Sequence, residues 1–528
     1  MTPADWTRSG AGQRLTVIAA SLVVGALAAL AHPPFGLLLP GLLAYPALLI
    51  LGDRAGSVRA AFWRGWLAGF AYFFIGCWWV AEAFLVNPDQ AWMAPFAACL
   101  LPAGMGLFWG GALALFRRVR RPGLARVALF AGLFCLFEWL RGWVLTGFPW
   151  NPAGASWAAG SAASQTAALV GVYGLGLITV LGTAAFAPLV ERRDRKAIIV
   201  AGAGLALIAV TIIGGAVRLA RAEPTDSGTV IRIVQANIEQ QAKWTPENFA
   251  AIVQSYVSLT AGPESDLGRP DVVIWPEGAL PTTFNDIVDP RSWVAPAMAE
   301  ALDEGQVLIV GLSRAYDRGD GQASYGNSAF AMTDIGVGGL RVDAVYDKHH
   351  LVPFGEYLPA GPLMSRLGVR SLVHVPSDFT PGPPPQPFDL PGVPRVQPLI
   401  CYESLFPGMT PDGAERPAWI VNPSNDAWYG ATSGPVQNFN LSAYRAIEEG
   451  LPMARATPTG VSALIDPWGR PVDKRKLETG ARGVIDARLP QALEPTPYSR
   501  WGDWPMVLAV AGLIGLGALS GRGRREAA

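Results

Sequence analysis

Cys401, Glu277 and Lys348 each lie within two residues of the end of a predicted strand, and the strand before Cys401 has the pattern of a buried one. A thiol with a pKa of about 8.5 needs a base or a nearby cation before it becomes a nucleophilic thiolate. A glutamate can take the proton, and a lysine can stabilise first the thiolate and then an oxyanion. Taken singly, Cys401 fits a nucleophile and a buried structural thiol equally well, whereas Glu277 alone is more often a surface carboxylate and Lys348 alone more often a solvated cation.

The composition indicates that much of the chain lies in a membrane. Hydrophobic residues make up 51% of the 528 residues and charged residues 16%, whereas soluble proteins carry about 25% charged residues. This excludes an ordinary cytosolic enzyme and a disordered protein, and the zero net charge argues against a nucleic-acid partner. Eight segments are predicted to span the bilayer, the second and last being short: 14–31, 36–52, 62–86, 93–116, 124–145, 166–190, 197–217 and 504–520.

The basic residues of the predicted loops indicate the orientation of the spans. Arginine and lysine lie before the first span, after the last span and in alternate loops, while loops 32–35, 87–92 and 146–165 contain neither. Because basic loops stay in the cytoplasm, both termini are predicted to be cytoplasmic and the segment 218–503 to lie outside.

The outer segment has the pattern of an α/β domain. Short apolar runs alternate with helical periodicity, and a proline-rich loop is predicted at 376–394. Helices are predicted to begin at Thr245 and to cover 291–303 and 435–449. The predicted strands are 229–236, 271–275, 306–312, 327–332, 342–346, 396–400, 418–421, 453–456, 461–465 and 483–486. The predicted organisation is therefore seven membrane helices in 1–217, an outer domain in 218–500, and an eighth helix with a cytoplasmic tail in 501–528.

Cys401 is the single cysteine of the predicted outer domain. The other three cysteines, Cys77, Cys99 and Cys135, lie in predicted spans, so the outer domain has a single thiol and no internal disulfide. A lone thiol in an oxidising compartment is a liability unless it is used. His349, His350 and His374 are alternative bases for it.

Several motifs together resemble known families. Trp275-Pro-Glu277, Asp347-Lys348 and Cys401-Tyr-Glu403 are similar to the Glu–Lys–Cys signature of the nitrilase superfamily. With eight predicted spans, residues 14–520 as a whole resemble the bacterial apolipoprotein N-acyltransferases. Further matches are Val234-Gln-Ala-Asn237, Lys243-Trp244, Pro353-Phe-Gly-Glu356-Tyr, Asn425-Asp-Ala-Trp428-Tyr-Gly430, Tyr444-Arg-Ala-Ile-Glu448, Arg455-Ala-Thr, Thr459-Gly-Val-Ser462 and Asp466-Pro-Trp-Gly-Arg470. The sequence departs from the family pattern at Asn438, at Pro458 and in Asn422-Pro423-Ser424.

The resemblance implies an α-helical membrane bundle of eight helices plus an α/β domain of the nitrilase-like α-β-β-α sandwich type. It implies that Cys401 is the acyl-accepting nucleophile, Glu277 the general base and Lys348 the oxyanion stabiliser. Among the remaining residues, it implies that Glu356 holds the lysine, that Tyr402 and Glu403 shape the nucleophile turn, and that Trp244 and Trp428 contact substrate. No cofactor and no metal are implied.

The predicted topology and the resemblance together suggest the substrates. An outer active site has no supply of acyl-CoA, which favours a membrane phospholipid as acyl donor. The acceptor implied by the family is the N-terminal amine of the diacylglyceryl-cysteine of an apolipoprotein, in the last step of lipoprotein maturation. The protein is expected to be a monomer in the bacterial inner membrane with its catalytic domain in the periplasm. The alternatives are a membrane-tethered amidase that uses water as acceptor and a transporter with an outer binding domain.

Overall fold

The computed structural model describes residues 10–120, 123–317, 323–336, 339–359, 361, 366, 379–411 and 413–519. The chain divides into two units. One contains Met1–Ala81, Met93–Ala222 and Arg500–Ala528, and the other contains Glu82–Trp92 and Glu223–Ser499. The second unit therefore takes in a short segment, Glu82–Trp92, that precedes the rest of it by more than a hundred residues.

The first unit consists of helices. Its long helices in the described part of the chain are Ala11–Ala29, Leu38–Asp53, Val58–Cys77, Ala94–Val119, Arg126–Arg141, Ala167–Ala184, Arg195–Ala220 and Trp504–Leu519. Small residues allow close helix contacts, as expected in a membrane bundle. A Cβ atom at Gly25 would lie 1.9 Å from the carbonyl oxygen of Ala68, and one at Gly65 would lie 2.5 Å from that of Trp109.

Five helical stretches among the described residues are long and apolar enough to cross a membrane: Gly12–Ala29, Val58–Leu85, Pro88–Val119, Ala163–Glu191 and Arg195–Ala220. Leu38–Asp53 and Trp504–Leu519 are apolar but shorter. Arg126–Arg141 has 16 residues, which at 1.5 Å per residue gives about 24 Å against a hydrocarbon core of about 30 Å. The structure thus has helices at all eight predicted segments, and five of them meet the length and composition expected of a span.

The second unit contains two mixed β-sheets. The strands are β1 Asp226–Gln235, β2 Val272–Ile274, β3 Val307–Asp317, β4 Ala323–Asp334, β5 Leu340–Asp347, β6 Phe388–Leu390, β7 Val393–Pro398, β8 Trp419–Pro423, β9 Met453–Ala456, β10 Ala463–Ile465 and β11 Gly483–Pro490. The first sheet has the strand order β11-β1-β2-β3-β4-β5 and the second the order β10-β9-β8-β7-β6. Every predicted strand is present, but the predicted loop 376–394 also contains β6, which pairs with β7.

The two sheets pack face to face with a helix layer outside each. Ile231 and Ile274 of the first sheet share one core with Val396 and Val421 of the second. The opposite face of the first sheet packs against the helices Phe249–Thr260 and Val294–Glu300, which supply the apolar residues Ile252, Val253, Tyr256 and Met298. The helix Gly434–Glu449 lies against the second sheet, where Ser442 contacts Arg455 of β9. The unit is an α-β-β-α sandwich.

Strand direction explains why distant residues meet. β1, β2 and β3 are parallel, and β5 runs in the same direction because β4 is antiparallel to both of its neighbours. The carboxyl ends of β2 and β5 therefore lie at the same edge of the sheet. Glu277 follows β2 and Lys348 follows β5, so the topology places both at that edge.

Candidate active site

The structure brings Glu277, Lys348 and Cys401 together in one buried site. Lys348 Nζ lies 3.3 Å from Glu277 Oε1. Hydrogen bonding with the Cys401 thiol lowers the pKa of Glu277, and hydrogen bonding with Ser424 lowers the pKa of the thiol. Each of the three side chains is less than a tenth exposed, Lys348 only 1%, so their charges interact in a medium of low dielectric.

Glu356 and Asn327 complete the charged part of the site. Lys348 Nζ donates to Glu356 Oε1 at 2.9 Å. Asn327 Nδ2 donates to Glu277 Oε1 at 2.6 Å and to Glu356 Oε1 at 2.7 Å. The backbone carbonyl of Asn327 accepts from the backbone N–H of Lys348. Glu356 Oε2 is held by the Val352 N–H at 2.7 Å. One lysine and one amide thus keep two buried carboxylates beside each other.

Asn327 was not identified from the sequence. It lies in β4, at the first position of the segment 327–332 that is predicted to be a strand. A polar amide in such a run must find partners, because a buried unsatisfied amide is costly. That signal was available, but the identity of the partners depends on the pairing of β4 with β3 and β5.

The nucleophile turn has an uncommon backbone conformation. Cys401 begins a short 3₁₀ helix, Cys401–Leu405, and has φ of +49°, in the left-handed region that costs energy for a residue with a Cβ atom. Such a conformation persists only where surrounding contacts fix it. The turn is therefore built for the placement of the thiol.

Glu403 is the anchor of this turn. Its Oε2 accepts from the Ile400 N–H at 2.7 Å, and its Oε1 accepts from the Tyr346 hydroxyl at 2.6 Å and from the N–H groups of His349 and His350 at 2.8 and 3.0 Å. Burial raises the pKa of this carboxyl, although the hydrogen bonds oppose the rise. Glu403 consequently links the turn after β7 in one sheet to the turn after β5 in the other.

The electrostatics favour a neutral thiol beside a charged pair. Burial first, and then the negative charge of Glu277, raise the pKa of Cys401 to about 12, with Lys348 opposing. Burial would raise the pKa of Glu277, but the charge of Lys348 and hydrogen bonds from Asn327, Cys401 and Lys348 lower it. Burial would lower the pKa of Lys348, but the negative charges of Glu277 and Glu356 have the larger effect, so the pKa of Lys348 is raised. At neutral pH the site holds a thiol, a carboxylate and an ammonium group, which is the arrangement required for general-base activation of the sulfur.

The other predicted site residues lie in different surroundings. Tyr402 is buried, and its ring centroid lies 5.0 Å from that of Phe406 and 5.9 Å from that of His350. Trp244 is 60% exposed and Trp428 39% exposed. The structure therefore places Tyr402 next to the nucleophile in a packed aromatic group, and leaves both tryptophans with large exposed surfaces.

The histidine alternatives are not favoured by the described geometry. The His349 ring has its Nδ1 2.8 Å from the carbonyl oxygen of Gly382. The His350 ring lies against Phe406, with centroids 3.9 Å apart. Of the candidate bases, the one that forms a hydrogen bond with the Cys401 thiol is the carboxylate of Glu277. His374 lies outside the described residues, as does much of the segment 360–378.

Lys243 is a further buried cation near the site. Its ammonium group donates to the carbonyl of Gly278, directly after Glu277, and lies 5.6 Å from the ring centroid of Trp244. Burial lowers the pKa of Lys243 to about 8, with the charge of Glu277 opposing. The sequence motif Lys243-Trp244 does not by itself predict that the lysine contacts the turn after Glu277, because this contact depends on the fold.

The departures from the family pattern lie in the packing around the turn. Asn438 Nδ2 donates to Asp426 Oδ1 at 2.8 Å, and Asn422 Nδ2 donates to the carbonyl of Leu399 at 2.6 Å. The Pro458 carbonyl accepts from the Asn237 N–H at 2.8 Å. All three residues thus satisfy hydrogen-bonding groups within the second unit.

Comparisons with known proteins agree with this architecture. The family described as apolipoprotein N-acyltransferase N-terminal domain matches residues 24–185, and the family described as carbon–nitrogen hydrolase matches residues 230–498. An apolipoprotein N-acyltransferase of Caulobacter vibrioides is 50% identical over 491 residues, covering 92% of this chain and 91% of the relative.

Two further relatives extend the match over nearly the whole chain. An apolipoprotein N-acyltransferase of Allorhizobium ampelinum is 38% identical over 532 residues, with 97% of each chain covered. One of Rhodopseudomonas palustris is 39% identical over 520 residues, covering 95% of this chain and 94% of the relative. Since helical unit, sandwich domain and full length all correspond, the chain belongs to the apolipoprotein N-acyltransferase family.

Proposed function

We propose that this protein transfers an acyl chain from a membrane phospholipid, through a thioester on Cys401, to the N-terminal amine of the diacylglyceryl-cysteine of apolipoproteins. The product is the mature triacylated lipoprotein. The observation that carries the proposal is the buried Glu277–Lys348–Cys401 group, with Glu277 hydrogen-bonded to the thiol, in a chain of the apolipoprotein N-acyltransferase family.

In the first half-reaction the Cys401 sulfur attacks the ester carbonyl carbon of the phospholipid. Glu277 takes the thiol proton as the S–C bond forms, so free thiolate need not accumulate. Lys348 donates to the oxygen that becomes negative in the tetrahedral intermediate. When the ester C–O bond breaks, the leaving alcohol takes the proton from Glu277, which releases lysophospholipid and leaves the acyl group on sulfur.

In the second half-reaction the neutral α-amine of the acceptor attacks the thioester. Glu277 accepts a proton from the amine, the C–S bond breaks, and the proton returns to the sulfur. The products are the amide and the Cys401 thiol, so the enzyme ends in its starting state. Because donor and acceptor use one nucleophile in turn, the kinetics are ping-pong.

The surrounding residues have positioning roles. Glu356 holds Lys348 through the 2.9 Å ion pair, and Glu403 holds the nucleophile turn through its four hydrogen bonds. Tyr402 shapes the same turn by packing on Phe406. Trp244 and Trp428 offer exposed aromatic surface to the acyl chains of the substrates.

The same proposal includes the cellular arrangement. Eight helices span the inner membrane as a monomer, with residues 1–217 and 501–528 forming the membrane part and residues 218–500 the periplasmic catalytic domain. Both termini are cytoplasmic, because the basic loops alternate with loops free of lysine and arginine. Phospholipid is the donor since no acyl-CoA is supplied on the periplasmic side.

One assay separates this function from the amidase alternative, which no observation favours. Purified full-length protein is incubated with phospholipid and a diacylated lipopeptide that has a free N-terminal amine, and products are followed by mass spectrometry. We expect N-acylated lipopeptide and lysophospholipid in equal amounts. A lipopeptide whose N-terminal amine is already acetylated should not be acylated. Release of free fatty acid without N-acylation would instead establish hydrolysis.

A further inference from the structure

Arg455 is a buried cation that the proposed mechanism does not use. It lies in β9, and its side chain is fully buried. Its Nη2 donates to both carboxylate oxygens of Asp426, at 2.8 and 2.9 Å, and its Nη1 donates to Asn422 Oδ1 and, at 3.1 Å, to Ser442 Oγ. Three routes lead from these partners to the nucleophile.

The first route passes through Asn422. Because Arg455 donates to the amide oxygen of Asn422, the amide nitrogen must face the other way. It donates to the carbonyl of Leu399 at 2.6 Å and reaches the carbonyl of Cys401 at 3.5 Å. The guanidinium therefore fixes the orientation of an amide that holds the backbone on both sides of Ile400.

The second route passes through two hydroxyl groups. Ser442 Oγ, which accepts from Arg455, lies 2.7 Å from Ser404 Oγ. Ser404 Oγ donates to the carbonyl of Cys401 at 2.8 Å. The backbone carbonyl of the nucleophile is thus held from the helix Gly434–Glu449 as well as from β8.

The third route ends at the sulfur itself. Asp426 Oδ1, paired with Arg455, accepts from Ser424 Oγ at 3.3 Å and from Asn438 Nδ2 at 2.8 Å. Ser424 is also a hydrogen-bond partner of the Cys401 thiol. The same guanidinium is therefore connected to both the backbone and the side chain of Cys401.

We propose that Arg455 is the positioning residue that keeps Cys401 in its left-handed conformation with the thiol directed at Glu277. A conformation with φ of +49° at a residue with a Cβ atom requires external contacts to persist. A planar guanidinium can satisfy three partners in fixed directions, which an ammonium group cannot do in the same geometry. The inference rests on the proposed role of Cys401 as nucleophile.

A second buried ion pair offers a matched control. Arg232 of β1 is as buried as Arg455 and forms a bidentate pair with Asp486, at 2.8 Å for both contacts. Its other partners are the carbonyls of Thr260, Gly262 and Pro263. Arg232→Lys therefore removes a comparable buried guanidinium group, one that has no described hydrogen bond to the nucleophile turn.

The test compares Arg455→Lys with Arg232→Lys in the full-length protein in detergent. Two quantities are measured: formation of acyl-enzyme from phospholipid, and alkylation of Cys401 by iodoacetamide as a function of pH, resolved by peptide mass spectrometry. For Arg455→Lys we expect acylation to slow by about 100-fold, as for a nucleophile displaced by about 1 Å, with the KM for phospholipid within twofold. The alkylation profile should move to lower pH than in the wild type, because the thiol leaves the carboxylate of Glu277, which raises its pKa. Arg232→Lys should not show this shift.

A second variant covers the case in which Arg455→Lys does not fold. Asn422→Asp keeps the acceptor for Arg455 and gains a charge that the guanidinium compensates, but places an oxygen against the carbonyls of Leu399 and Cys401. It should show the same slow acylation and the same shift of the alkylation profile to lower pH. Wild-type acylation rates and profiles in the folded variants would overturn the inference. If wild-type protein forms no acyl-enzyme, the proposed function fails, while the alkylation profiles still decide the role of Arg455.

Discussion

At the scale of single residues, the site contains a thiol that is buried next to a carboxylate, an environment that disfavours the thiolate. The charge of Glu277 disfavours a thiolate at Cys401, yet the same carboxylate is the proposed base and forms a hydrogen bond with the thiol. Lys348 and Asn327 keep Glu277 ionised, and so ready to accept the proton. In the proposed mechanism the proton therefore moves as the sulfur attacks an acyl carbonyl.

The pH dependence of acyl-enzyme formation follows from these directions. Glu277, with a lowered pKa, remains a base down to acid pH, and Cys401, with its pKa raised to about 12, remains a thiol through the neutral and alkaline range. We expect the single-turnover acylation rate to fall only on the acid side, below the usual glutamate value of about 4.3, and to be flat between about pH 6 and 9. A rise with an apparent pKa of about 8.5 would indicate a preformed thiolate mechanism instead.

Replacing Lys348 tests the oxyanion role. Lys348→Met should slow acyl transfer on the order of 100-fold or more, equivalent to about 3 kcal/mol, because the charge opposite the developing oxyanion is lost. Phospholipid binding should change little. The structure adds that Glu277 and Glu356 would then face each other without their shared cation, so the double variant Lys348→Met/Glu356→Gln serves as a control for folding. Retention of more than half the wild-type rate would remove Lys348 from the mechanism.

The side chains that are proposed to react are easier to predict from the sequence than the side chains that hold them. Cys401, Glu277 and Lys348 follow recognisable apolar strands, and their residue types define a chemistry. Asn327 and Arg455 act through hydrogen bonds to partners more than ten residues away, up to fifty in the case of Asn327 and Glu277. Such partners are fixed by strand pairing and cannot be deduced from local spacing.

At the scale of structural elements, the site is formed where strand ends of two sheets face each other. β2 and β5 supply Glu277 and Lys348 from one sheet, and β7 supplies Cys401 from the other. The strands themselves were predictable from their apolar runs. The pairing of β1 with β11, such as Ile231 opposite Ala487, joins segments that are far apart in the sequence, so the sheet order was not predictable. The strand β6 was missed because Phe388–Leu390 is short and stands in a proline-rich segment.

Glu403 provides a test of how the elements are joined. Glu403→Gln replaces one accepting oxygen with an NH₂ group that faces buried donors, at a cost of about 1–3 kcal/mol for each donor left unsatisfied. We expect lower thermal stability and slower acylation together, since both catalytic turns lose the same anchor. Tyr346→Phe removes only one of the four donors and should show a smaller loss of both. Wild-type stability in Glu403→Gln would show that the two turns are held independently.

At the scale of the whole molecule, the proposed function requires the catalytic domain to lie outside the cytoplasm. The basic clusters alternate along the chain, as in loops 117–126 and 192–196, and predict cytoplasmic termini with an outer catalytic domain. A reporter that is active only outside the cytoplasm should work when fused near residue 300 and fail when fused after residue 528. The reverse pattern would remove the periplasmic assignment together with the argument for a phospholipid donor.

The central claim is that Cys401 carries the acyl group between donor and acceptor. The most direct measurement is mass spectrometry of the full-length protein after incubation with phospholipid in the absence of acceptor, with the remaining cysteines Cys77, Cys99 and Cys135 as internal controls. We expect one acyl mass on the Cys401 peptide, removed by neutral hydroxylamine, discharged by a diacylated lipopeptide with a free amine, and absent in Cys401→Ala. An unmodified Cys401 peptide, or N-acylation of the lipopeptide by Cys401→Ala, would contradict the covalent mechanism.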